Sequence, residues 1–124
     1  MALTTEARDE IATALNAAGI RAFHSAPATV TMPSVIVVPA EPYLVVNRIG
    51  HGLGYMAAWD LTCIAQALDN ESGLANVETL LDNVLTALPD GMAVTRVSRP
   101  MLDDFGAQGS GYVSQISVTA QLRG

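Results

Sequence analysis

YMAAWDLTCIAQA, residues 55–67, decides the fold of this chain and holds its only tryptophan. Ala57, Trp59, Leu61, Cys63, Ala65 and Ala67 occupy alternate positions, with Met56, Ala58, Asp60, Thr62, Ile64 and Gln66 between them. Read as a strand, the stretch has one apolar and one mixed face, and the apolar face requires a cover. The next periodic segment supplies one. Leu74, Val77, Leu80, Leu81, Val84, Leu85 and Leu88 recur at steps of three and four, which predicts an amphipathic helix. Ser72 is its expected cap and Pro89, Asp90 and Gly91 its stop. On this reading an aspartate at Leu81 unfolds the domain.

Upstream, residues 43–49 (YLVVNRI) form a second strand pattern that reaches residues 55–67 through the glycine-rich GHGLG at 50–54. Two strands so joined predict a β-hairpin, long enough to project from the body. The glycine run has a surface likeness to a phosphate loop, but a strand pattern follows it, so the helix N-terminus that holds phosphate is missing. Before it, Val35, Ile36, Val37 and Val38 form a β-branched run expected to be an inner strand covered on both faces, ended or bent by Pro39 and Pro42. Residues 20–32 read as a short edge segment or loop interrupted by Pro27. At the start, Thr4 or Thr5 is positioned to cap a first helix, with Ala7, Ile11, Ala14, Leu15 and Ala18 on its narrow apolar face and Gly19 at its end.

Downstream, residues 92–99 form a strand with Thr95, Val97 and Arg99 on one side and Val94, Arg96 and Ser98 on the other. Residues 100–111, with three glycines, read as a surface loop in which Met101, Leu102 and Phe105 are unexpectedly apolar. The closing segment, 112–122, alternates regularly, with Tyr112, Ser114, Ile116, Val118, Ala120 and Leu122 on one face. The fold class is therefore α+β: a single domain over residues 1–124, mainly antiparallel or mixed sheet packed on two helices, in the order α-β-β-β-α-β-β.

Composition excludes several functions. The formal charge is -6, all six basic residues are arginine, and they are scattered, so no basic patch is available to neutralise phosphates. DNA fits only as cargo passing an acidic wall. Cys63 has no second cysteine to pair with and falls on the apolar side of its strand, as a buried, inert thiol does. His24 and His51 belong to no metal-binding spacing, and adjacent Asp103 and Asp104 diverge instead of converging on one atom. Asp60 is a mid-strand carboxylate placed to meet a neighbouring arginine or a subunit boundary. No catalytic, cofactor-binding or metal-binding set emerges, and the chain is not expected to be an enzyme. A basic n-region and an apolar run of membrane length are both missing from the sequence, so a soluble protein made in a cytoplasm is expected.

Two surface features remain: the hairpin tip with Arg48, Ile49, His51, Leu53 and Tyr55, and the loop with Met101, Leu102 and Phe105. Apolar groups on projecting loops suit a subunit or partner interface, or equally fold back to seal the ends of the core. The helix at the N-terminus, the PSVIVVP segment with Tyr43 beyond it, the tryptophan strand, the LxxVxxLLxxVL helix and the closing glycine loop and strand together resemble the tail terminator proteins of long-tailed bacteriophages. The resemblance implies a homo-oligomeric ring, a hexamer, that caps the tail tube at the head-tail junction of the virion, ends tube polymerisation and presents the head-attachment surface. It implies a tail tube protein and a head-completion or connector protein as partners, no membrane, and assembly in the bacterial host cytoplasm. A head-completion or connector protein of the phage neck and a small ligand-binding α/β domain are the alternatives.

Overall fold

The computed structural model describes residues 3–23, 33–49, 52–66, 70–104 and 109–123. Helix α1 (Leu3–Ala17) is followed by strands β1 (Ala22–Phe23), β2 (Ser34–Ile49) and β3 (Gly52–Gln66), helix α2 (Asn70–Ala87), and strands β4 (Met92–Val97), β5 (Met101–Asp104) and β6 (Ser110–Arg123). The strands form one mixed sheet in the order β1-β2-β3-β6-β4, with β5 also pairing β6, and the α+β class read from the sequence holds. All pairings are antiparallel except the short parallel one between β1 and β2.

β3 lies at the centre, between β2 and β6. Ala57, Trp59, Leu61, Cys63 and Ala65 are all buried, as their alternation predicts, while Ala67 lies outside the described residues. With Val35 and Val37 of β2 and Ile116, Val118 and Ala120 of β6 they form the sheet half of the core. The helices supply the rest: Ala7, Ile11, Ala12 and Leu15 from α1, and Val77, Leu80 and Val84 from α2. Leu81 packs against this cluster only partly, and Leu74 and Leu85 are exposed at its flank. The buried stripe on α2 is thus narrower than the leucine pattern suggests.

Both helices begin earlier than their expected caps. α1 starts at Leu3, ahead of Thr4 and Thr5, and α2 starts at Asn70, so Ser72 lies inside it. On α1, Ala12 takes the buried place expected of Ala14 and Ala18, which are half-buried and exposed. Its end is as predicted. Gly19 adopts φ +84°, its N–H donates to the Asn16 carbonyl at 3.0 Å, and the Ile20 N–H donates to the Leu15 carbonyl at 2.9 Å. These two bonds make a Schellman cap, sealed by the buried Leu15 and Ile20. The Asn16 side chain then pins the helix to the sheet, donating through Nδ2 to the Ala22 carbonyl and accepting from the Ala22 N–H through Oδ1.

Four expectations about the strands change. First, residues 35–38 and 43–49 belong to one strand, β2, which continues through Pro39 and Pro42. Its register against β3 shifts between Pro39 and Leu44, where four residues face Ala58 alone. The Val35 N–H donates away from β3, to the Arg21 carbonyl, so the two-residue alternation also turns the Pro39 nitrogen outward. The donor that proline lacks is one that β3 never needed. Second, residues 101–104, read as loop, form β5; Pro100 separates it from β4, yet both strands pair with the same side of β6. Third, a bulge between Val94 and Arg96 reverses the side alternation of β4, so that Val94 lies opposite Val118 and Val97 opposite Ile116 on one face. Fourth, hairpin pairing runs further than expected: Ile49 pairs Gly52 and Asn47 pairs Gly54, so Gly52 and Gly54 belong to β3 and not to the connection.

Candidate assembly interface

Helices and strands differ in reach. α2 has 18 residues, about 27 Å at 1.5 Å each, whereas β3 has 15, roughly 50 Å at 3.3 Å each. The helical layer therefore covers only the proximal part of the β2–β3 hairpin. The burial follows this division. Ala57 is fully buried, the adjacent Tyr55 is half-buried, and Val46 opposite Tyr55 is 62% exposed. Tyr43 closes the end of the core, its ring edge-on to Trp59 with centroids 6.2 Å apart.

Beyond that point the hairpin is apolar on both faces. Leu44 and Val46 lie on the helix side of the sheet, and Val45, paired with Met56, lies on the other. All four are exposed, Val45 at 55%. A second apolar group follows the opposite border of the sheet: Val94, Val97, Met101 and Leu102 are exposed along β4 and β5, Leu102 at 62%. Exposed aliphatic side chains in two such groups are candidate association surfaces.

Of the residues singled out in the sequence, Tyr55, Met101 and Leu102 fall within these two groups or at their border. Arg48, Ile49 and Leu53 lie in the paired hairpin by their backbones, which place Arg48 opposite Leu53, but their side chains lie outside the described residues. His51 and Phe105 lie wholly outside them, as does His24. Leu44, Val45, Val46, Met56, Val94 and Val97 do not stand out in the sequence. Their signal is present in the lengths: two helices of these sizes cannot cover the hairpin that the sequence predicts.

The polar candidates are spread out. Asp60 accepts a 2.7 Å hydrogen bond from the Ser117 hydroxyl on the neighbouring strand. Beside it, Gln115 Nε2 donates to Thr62 Oγ1 at 3.4 Å. The Asp60 pair lies in a shallow concavity of about 420 Å³ on the helix-free face, bordered by Glu41, Pro42, Met56, Thr95 and Arg96. Asp103 and Asp104 occupy successive positions of β5, which directs them to opposite faces. Among the described residues, no three His, Cys, Asp or Glu side chains gather as metal ligands would. No described helix is long and apolar enough to cross a membrane.

Cys63 is fully buried, and loss of solvation raises its thiol to about 12; its Sγ donates to the Leu61 carbonyl at 3.6 Å. Only the thiolate is nucleophilic, so the folded protein holds Cys63 unreactive. Iodoacetamide at pH 8 is expected to leave the native chain unmodified and to alkylate Cys63 fully once denaturant is added, read by intact mass. Rapid native labelling would show the strand to open.

No known family profile matches the chain, and no curated protein matches it by sequence. By structure it is similar to a chain in the solved virion of a native gene transfer agent (GTA) particle, with a TM-score of 0.52 and 15% identity, over 92% of this chain and 84% of that one. At that identity the likeness is one of fold.

Proposed function

We propose that this protein is a structural component of a phage-type virion, a tail terminator that caps the tail tube as a ring, halts tube growth and offers the surface to which the head attaches. The observation that carries the reading is the hairpin that outruns its helical cover and exposes aliphatic side chains on both faces. Such an arm suits burial against other subunits. The likeness of fold to a chain of a virion particle supports the setting, and the sequence resemblance to tail terminators supports the position within it. The work is binding without bond chemistry, and DNA passes an acidic chain of net charge -6 as cargo.

The interface is testable separately from the fold. Val46→Ser combined with Leu102→Ser removes two side chains that are each 62% exposed. Substitutions at such sites usually change stability by less than about 0.5 kcal/mol each. We expect the double variant to melt within a few degrees of the parent and to lose head-tail joining, scored by electron microscopy of lysates complemented with it. A large drop in melting temperature would make these residues core, and normal joining would remove them from the interface. Retained tube capping with loss of head attachment would instead favour a connector role.

A further inference from the structure

The sheet ends in two open borders. Among the described residues, β1 pairs only with Val35 and Ile36, so the outer side of β2 beyond them has no adjacent strand, while β4 and β5 pair on one side only, with β6. Folded monomers usually guard such borders with lysine, proline or a bulge. Here Pro39 and the register shift guard the first half of β2, but the six residues from Leu44 to Ile49 follow without either, and the chain contains no lysine. β4 is also six residues long, and although a bulge at Thr95 interrupts it, Val94 and Val97 on either side are exposed.

Strand directions match these borders to each other. β2 is antiparallel to β3, β3 to β6 and β6 to β4, so β4 runs antiparallel to β2. A second copy placed by rotation about an axis along the strands keeps its directions, and its β2 meets the first copy's β4 in the antiparallel sense. Pairing β2 with β2 would leave the β4 border bare, whereas a β4-to-β2 contact covers both with a single kind of interface. Charge agrees: exposed Arg96 and Arg99 lie on or beside β4, and exposed Glu41 lies at the start of the open part of β2.

We infer that β4 of one copy pairs with residues 44–49 of β2 in the next, so that the sheet continues from subunit to subunit. This deepens the ring reading above by naming its contact, and the two can fail separately. The hydrogen-bonding sides can be assigned. The Ser98 N–H donates to the Gln115 carbonyl, so the Val97 peptide faces outward. On β3, whose pairing with β6 is continuous, the Tyr55 carbonyl faces β6, where Gln121 Nε2 reaches it. Tyr55 is paired with Val46, so the Val46 peptide also points away from β3.

Val46→Pro and Val97→Pro therefore each remove an outward donor while sparing the internal ladder. By native mass spectrometry the wild-type chain is expected to form a closed oligomer and each variant alone a monomer. Mixed in equal amounts, the two variants should give a one-to-one dimer and nothing larger, because each retains the border that the other has lost. A monomeric wild type, a wild-type oligomer from either variant alone, or a mixture that stays monomeric would overturn the inference. If either proline lowers the melting temperature, Val46→Lys and Val97→Lys carry the same test. Should the dimer form while wild-type rings fail to cap tubes, the strand pairing stands and the terminator reading falls. Intact rings of Val46→Pro that still cap tubes would have the opposite meaning: the terminator reading stands and the strand pairing falls.

Discussion

Trp59→Ala is expected to cost about 3–5 kcal/mol, the range for removing a large buried aromatic side chain. Trp59 is the largest fully buried side chain, central on β3 between β2 and β6, with the Tyr43 ring against it. Set against a domain stability of about 5–15 kcal/mol, such a loss lowers the melting temperature by roughly 10–20 °C and leaves a marginal fold. The indole also has a peculiarity: its Nε1 is buried without a hydrogen-bond partner among the described residues. Trp59→Phe removes that donor while keeping an aromatic ring in the site, so it should be much milder than Trp59→Ala. Equal effects in chemical denaturation would mean that neither ring volume nor the orphaned donor governs this position.

Val84→Asp should prevent folding altogether. Val84 is fully buried in a cluster of apolar side chains, and a carboxylate placed there loses its hydration. Leu85→Asp, one residue on, should leave a cooperatively folded chain, because Leu85 is 39% exposed. Circular dichroism with thermal melts separates the two. Leu81, the residue on which the sequence pattern places this test, packs against the core only in part and should fall between them. A soluble, cooperatively melting Val84→Asp variant would contradict the packing of α2 on β3.

The contrast between Val84 and Leu85 marks how far periodicity reaches. It identifies α2, β3 and β6, because each holds an unbroken run of period 3.6 or 2. It cannot select among leucines that all fit a helical stripe, since the width of the buried stripe depends on how α2 lies on the sheet. Irregular pairing is equally hidden. Pro39 reads as a strand terminus unless its nitrogen is known to face outward, and the bulge at Thr95 shifts Val94 to the side of Val97 without any local mark. β5 is obscured by Pro100 before it and the glycines after it.

The proposed interface is legible in part. Apolar residues at 101 and 102 stand out because they interrupt a polar, glycine-rich segment. Leu44, Val45 and Val46 do not, because a run of aliphatic residues in a strand is ordinarily core. Only the mismatch between a hairpin of roughly 50 Å and helices of about half that length makes them surface.

Whether copies of this chain form a ring that ends a tail tube is tested by electron microscopy of tube assembly. A phage tail tube protein would be polymerised with and without this chain. Shorter tubes are expected in its presence, each bearing a ring at one end, with no further growth when tube subunits are added. Tubes of unchanged length with bare ends, and a chain that remains a 13.0 kDa monomer beside them, would contradict the proposed role.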